Sequence, residues 1–180
     1  MWQLNEPKPV KLIIGVLAAN DDALNRTAGE LETIFGTIDL QSDVWQFTQT
    51  EYYKDETGEH ILRQFVSIDK LIDPGRLADI KHRTNELEKQ VAGQLSPDLT
   101  RPVNLDPGII EPSKLILATT KNYSHRIYIG NKMYAEVTLI YDKGHWKHFD
   151  YTYPDYRLRN YQDFFSKVRG RLVEQLREKC

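Results

Sequence analysis

The chain has 180 residues, 40% of them hydrophobic and 28% charged, which suits a globular protein with one sizeable core and a single domain over 1–180. Its longest apolar run, KLIIGVLAAN, is interrupted by Gly15 and falls far short of the roughly 20 residues that cross a bilayer, and nothing resembles a signal peptide. The lone Cys180 can form no internal disulfide, so a cytoplasmic protein without a membrane partner is expected. The net charge of -2 hides an asymmetry: residues 20–60 carry ten acids against Arg26 and Lys54, and residues 157–179 carry seven bases against Asp163, Glu174 and Glu178. Such polarity fits an anionic partner near the C-terminal third, and it equally fits solvated helix faces.

KLIIGVLAA is aliphatic and nearly continuous, the pattern of a strand buried on both faces. A helix follows, capped by Asp21 or Asp22, with Leu24, Ala28, Leu31 and Phe35 at helical spacing and Gly36 as its left-handed exit. DVWQFTQTEYY and HILRQFVSID flank the polar KDETGE and are expected to pair as an antiparallel hairpin. Asp73 and Pro74 supply an N-cap and first turn for a second helix, which carries Leu77, Ile80, Thr84, Leu87 and Val91 on one face and ends near Gly93. From Gly93 to about Pro112, four prolines and the turn signature LDPG predict a loop, after which KLILATT reads as another buried strand. The order βαββαβ predicts an α+β fold, a ferredoxin-like sandwich with both helices on one face of the sheet. HRIYI, MYAEVTLIY and HWKHF extend it as a β-meander joined by GNK and DKG. A final amphipathic helix after YPDY, with Asn160 and Asp163 at its start, carries Tyr161, Phe165, Val168, Leu172 and Leu176.

Polar chemistry concentrates in LATTKNYSHRIYIG, residues 117–130. A turn needs one or two residues of special backbone tolerance, whereas Lys121, Asn122, Ser124, His125 and Arg126 crowd this joint. Strand alternation puts Ile127 and Ile129 on one face, expected to be the core, and Arg126 and Tyr128 on the other. A three-residue connection, Gly130-Asn131-Lys132, pairs Ile129 with Met133, Tyr128 with Tyr134 and Arg126 with Glu136, leaving Val137 toward the core beside Ile127. Arg126 and Glu136 then form an ordinary cross-strand ion pair, or Glu136 aims the planar guanidinium at a carboxylate or phosphate while Lys121 adds charge and Asn122 adds hydrogen bonds. His125 suits proton exchange near neutral pH and equally suits a packed histidine; in an enzyme, His125 or Glu136 would handle protons.

Eight of the ten tyrosines fall between residues 123 and 161. Several are expected in the core, while Tyr128 and Tyr134 beside an arginine suit stacking on the base of a nucleotide or of single-stranded RNA. Tyr153, Asp155 and Tyr156 of TYPDY either border the same cleft or stiffen the lead into the last helix. His145 and His148 point to opposite faces of a strand, so no metal site is assigned. The sequence contains no serine elbow, no Rossmann fingerprint and no Walker A cradle, and no cofactor is assigned.

NLDPG, ATTKNYSHRIYIG, YAEVTLIY and YTYPDY together resemble an uncharacterised prokaryotic family, the domain-of-unknown-function family 4416, over most of the chain. The resemblance implies no activity or partner. Some members carry the label GTP-binding, and TTKN is similar to the start of the guanine-reading Thr/Asn-Lys-x-Asp motif of GTPases. The candidate catalytic residues are His125 and Glu136; the candidate ligand-binding residues are Asn104, Asp106, Lys114, Thr120, Lys121, Asn122, Arg126, Tyr128, Tyr134, Tyr153 and Asp155. The expected function is binding of a phosphate-bearing small molecule or nucleotide at a polar strand-end site. The alternatives are an RNA-binding module that uses tyrosine stacking and the basic last helix, or a small assembly factor whose acidic and basic ends pair between subunits.

Overall fold

The first apolar run becomes β1 (Lys11–Ala18), every residue of which is buried, and the sheet is built outward from it. The computed structural model describes residues 2–48, 57, 60–95 and 99–178. Among these, β1 is followed by α1 (Asp21–Phe35), β2 (Ile38–Gln41), β3 (Trp45–Gln46), β4 (Leu62–Ile68), α2 (Leu77–Gln94), β5 (Val103–Glu111) and β6 (Lys114–Thr119). Then come β7 (Ile127–Gly130), β8 (Met133–Asp142), β9 (His145–His148) and α3 (Arg159–Glu178). The strands form one antiparallel sheet in the order β2-β4-β1-β5-β6-β8-β7, with β3 on β4 and β9 on β8. The fold is α+β. Its βαββαβ unit runs β1-α1-β2-β4-α2-β5 and places β4 and β1 side by side in the middle, the ferredoxin-like arrangement.

Alternation of side chains along each strand defines two faces. From β1, Leu12, Ile14, Val16 and Ala18 meet Leu24 and Leu31 of α1 and Ile80, Leu87 and Val91 of α2. Ile13 belongs to the opposite face, where Phe65, Ile110, Leu115, Leu117 and Leu139 pack under Tyr161, Phe164, Phe165, Val168 and Leu172 of α3. The last helix thus covers the face that a two-layer sandwich would leave bare. Phe65 lies at its centre, edge-on to Tyr156, Tyr161 and Phe165 with ring centres 5.7, 4.8 and 5.0 Å away. Each such contact contributes about 0.5–1.5 kcal/mol beyond the area it buries. Among the described residues, no helix is long and apolar enough to cross a membrane.

Several elements depart from the sequence expectation, each for a physical reason. Asn20 caps α1 by accepting from the Ala23 N–H, while Asp21 and Asp22 sit in the first turn against the positive end of the helix. Asp73 caps a 3-10 turn, Pro74–Arg76, that precedes α2. The second strand begins at Ile38, so DVWQFTQTEYY contributes only β3 among the described residues, and all of KDETGE but Thr57 lies outside them. The second half of the segment expected as a loop before Pro112 is β5, which pairs with β1 from Val103 to Ile110. Pro107 is tolerated there because the odd residues of β5 turn their N–H away from β1, as Leu105 does, and pairing with β6 begins only at Gly108.

The β7–β8 connection is a two-residue turn rather than a three-residue one. Asn131 and Lys132 are both left-handed, at φ 50° and 61°, and Gly130 pairs with Met133. A bulge at Ile129 absorbs the difference, so Tyr128 still pairs with Tyr134 and Ile127 with Ala135. Ile127 was expected in the core; on this edge strand it is 66% exposed, and Val137 is half-buried.

Candidate functional site

β5 and β6 run together only from the Gly108–Leu117 pair to the Glu111–Lys114 pair, whereas β5 stays on β1 back to Val103 and β6 stays on β8 out to Thr119. The sheet therefore forks. Glycine is required at the fork, because a Cβ on Gly108 would lie 2.5 Å from Ile116 O and 2.7 Å from Leu117 Cδ2. Past the fork, helix side chains serve the edge of β5 in place of a strand. Glu88 Oε1 accepts from the Leu105 N–H at 2.8 Å, and Lys81 Nζ donates to Leu105 O at 2.7 Å. Buried backbone groups left without partners would be costly, so these two residues of α2 allow the sheet to stay open.

The opening is a cleft of about 500 Å³. A continuous chain of hydrogen bonds runs along its β5 wall. Arg101 grips Glu88 through Nε at 3.0 Å and Nη2 at 2.7 Å and also donates to Asn104 Oδ1. Asn104 Nδ2 donates to Asp106 Oδ2 at 3.0 Å; Arg63 Nη1 reaches the same oxygen at 3.4 Å and its Nη2 reaches Asp155 Oδ2 at 3.2 Å. Arg63 lies over the rings of Phe47 and Phe65, 5.2 Å from each centre, in space kept by Gly15, whose Cβ would lie 2.8 Å from Nη1. Arg63 Nε and the Tyr156 hydroxyl are buried with no hydrogen-bond partner.

Burial dominates the electrostatics of this wall. It raises the Asp155 pKa against the pull of Arg63, with Asp106 adding to the rise, and it raises Glu88 against Lys81 and Arg101. It also opposes the charge of Arg63, but Tyr156, Asp106 and Asp155 outweigh it and hold that guanidinium above its ordinary value. Tyr156 is pushed well above the usual phenol range and Tyr161 up to about 12, both chiefly by burial. Both tyrosines are neutral hydroxyls at physiological pH.

The facing wall centres on Glu136 of β8, whose side chain is 2% exposed. Its Oε2 accepts from Arg126 Nε at 2.9 Å and lies 3.1 Å from His125 Nε2, while the Thr138 hydroxyl donates to Oε1 at 3.2 Å. Arg126 and Glu136 thus meet across the strands as their register requires. Arg126 also donates to Lys121 O at 3.1 Å and to the Tyr153 hydroxyl at 3.0 Å, so three of its five N–H donors hold it in place. Tyr153 and Asp155, two residues apart, each hold one arginine, and they thereby tie the two walls to a single turn.

Of the residues singled out in the sequence, Asn104, Asp106, Thr120, Lys121, Arg126, Glu136, Tyr153, Asp155 and Tyr156 line this cleft. His125 stands behind Glu136, stacked on Tyr151 at 4.1 Å. Lys114 lies at the opposite end of β6, paired with Glu111, and Asn122 is exposed on the turn outside the lining. Tyr128 and Tyr134 pack edge to face 5.5 Å apart in the β7–β8 hairpin, away from the cleft. Sequence reasoning missed Arg63, Lys81 and Arg101. A signal existed for two of them: Arg63 shares the strand parity of buried Phe65, and Lys81 falls four residues after Leu77 on the buried stripe of α2.

Two bases of the last helix are engaged by the chain's own groups, while Arg159, Lys167 and Arg177 are exposed. Arg171 lies 3.7 Å from Asp39 and 3.3 Å from Asp69, and Arg169 donates to Pro112 O and sits 3.8 Å over the ring of Tyr141. A family model described as domain of unknown function (DUF4416) matches residues 8–171. No curated protein and no solved structure matches the chain.

Proposed function

The chain belongs to the DUF4416 family, whose description carries no activity, and from the cleft itself we propose that the protein binds a phosphate-bearing small molecule or nucleotide. One observation carries this reading: among the described residues, Arg63, Lys81, Arg101, Lys121 and Arg126 line the cleft together with three carboxylates, Asp106, Glu136 and Asp155. Among the described residues the cations outnumber the carboxylates even with Glu88, which grips Arg101, counted in, and walls of low dielectric concentrate the field on an entering anion. The cleft's volume of about 500 Å³ suits a ligand of nucleotide size. The internal bonds of Arg63 and Arg126 pre-orient their guanidinium planes, which reduces the ordering cost of binding.

The RNA reading has less support, because Arg169 and Arg171 of the basic helix are engaged by the chain's own groups and Tyr128 and Tyr134 lie away from the cationic cleft. Pairing of acidic and basic ends between subunits has a competitor within one chain, in the approach of Arg171 to Asp39.

A thermal-shift screen with inorganic phosphate, phosphosugars and nucleotides tests the proposal, since a ligand at a hundred times its Kd adds about 2.7 kcal/mol to the native state. At least one phosphate compound raises Tm. Lys121→Ala then weakens it by about 1.5–3 kcal/mol, at least about tenfold, while shifting the ligand-free stability by no more than about 0.5 kcal/mol. Indifference to every phosphate compound, together with RNA binding that falls steeply with salt, would transfer the function to RNA. Lacking a Walker A cradle, the protein turns over GTP with magnesium no faster than background; turnover abolished by Lys121→Ala would contradict this.

A further inference from the structure

The two walls of the cleft have opposite characters. Toward Lys121 and Arg126, the lining carboxylate among the described residues is Glu136, so two cations stand with one anion there. Around Arg63 the balance reverses, because one guanidinium faces both Asp106 and Asp155. Lys81 and Arg101, farther along that wall, are held by Leu105 O and Glu88, so a phosphate is favoured beside Lys121 and Arg126 over the immediate surroundings of Arg63.

The second wall is also incomplete. Arg63 Nε and the Tyr156 hydroxyl are the buried side-chain atoms without a partner among the described residues, and both residues line the cleft on the same side. Both are 3% exposed, so solvent does not freely serve these atoms. Beside them Asp106 is 30% exposed at its side chain, and its bonds from Arg63 and Asn104 both fall on Oδ2. The wall therefore holds a carboxylate acceptor open to the cleft and, just beneath its surface, a guanidinium donor and a hydroxyl able to act as either.

We propose that the cleft takes a two-ended ligand, with a phosphate against the Lys121–Arg126 wall and a neutral edge bearing both an N–H or O–H donor and an acceptor against Asp106, Arg63 and Tyr156. This rests on the anion reading of the cleft given above. A nucleoside monophosphate is such a molecule: its base carries donors and acceptors side by side on one edge, and its phosphate stands a sugar's length away. Inorganic phosphate supplies one end only, and an unphosphorylated nucleoside supplies the other.

Calorimetry on the full chain separates these cases, with inorganic phosphate, ribose 5-phosphate, the four ribonucleoside monophosphates and their nucleosides as probes. At least one nucleotide binds tenfold or more tightly than inorganic phosphate or ribose 5-phosphate. Tyr156→Phe loses most of that margin yet melts no lower than the parent, because it deletes a buried hydroxyl that has no partner in the ligand-free protein. Asp106→Asn also narrows the margin, whereas Lys121→Ala weakens inorganic phosphate and nucleotide by similar factors. If inorganic phosphate binds and no nucleotide improves on it, or if Tyr156→Phe and Asp106→Asn both keep the full margin, the two-ended assignment is wrong while the anion site stands. If no phosphate compound binds, the anion reading fails and takes this inference with it.

Discussion

Lys11 and Arg63 stand on the adjacent strands β1 and β4, on the face covered by α3, and both are almost completely buried, yet they are served in opposite ways. The Lys11 ammonium has three donors and three partners: the Asp39 carboxylate, Asp69 O at 3.1 Å and Gln175 Oε1 at 2.9 Å. Gln175 in turn donates to Asp69 O at 2.7 Å, so the network closes on itself and fastens the last helix to the first strand. Arg63 has five donors, two long bonds at 3.4 and 3.2 Å, and an Nε with no partner. A closed network of this kind serves as scaffold. An open one that borders a cavity is where a ligand's atoms can complete the set.

The sharpest break between the two is Lys11→Met. Removing one member of a buried charged network costs about 3–5 kcal/mol, and urea denaturation should show that loss while the remaining folded protein binds its ligand as before. A cost below about 1 kcal/mol would mean that this network does not anchor α3. Gly15→Ala should cost less, about 1–3 kcal/mol, from crowding Arg63 Nη1 at 2.8 Å and Phe65 at 2.9 Å. Unlike the first variant it also displaces Arg63, so ligand affinity falls with stability.

The pH response of the open network is gentler. Folding raises the pKa of Asp155 from 3.8 and of Glu88 from 4.5, so between those ordinary values and the raised ones the native state holds protons that the unfolded chain has released. Their contribution to stability is therefore largest below that window and declines as pH rises through it. Urea midpoints collected across the acid range should show the decline, and Asp155→Asn should flatten its share. At the small end, Lys147→Ala breaks a surface pair with Asp142 whose side chains are 62% and 42% exposed, and the change should stay below about 0.5 kcal/mol.

Elements whose period survives in isolation were legible in the sequence. The unbroken aliphatic run of β1 and the stripe of α3 from Tyr161 to Leu172 follow from local spacing, whereas Arg126 meets Glu136 because the bulge at Ile129 offsets a turn one residue shorter than expected. β5 was hidden because Pro107-Gly108 reads as a turn, and only the assembled sheet shows that the proline's missing N–H falls where no strand needs it. The opening that Asn104 and Asp106 border was hidden with it. The polar joint pointed to Lys121 and Arg126 through its excess of side-chain chemistry, but Arg63 and Lys81 lie inside segments with ordinary strand and helix patterns. Their partners are distant in sequence: Arg63 meets Asp155 across 92 residues and Lys81 meets Leu105 across 24.

The substitution of a side chain for a strand at Leu105 gives the molecule a spectroscopic handle. An amide within a sheet ordinarily senses a carbonyl whose charge never changes, whereas the Leu105 N–H is bonded to a carboxylate that titrates. Its proton and nitrogen resonances should therefore move with the ionisation of Glu88. Because Glu88 also grips Arg101, which reaches Asn104 at the cleft wall, the same transition should register on the Asn104 side-chain amide. Two resonances can thus follow, residue by residue, how firmly the fork in the sheet is held open.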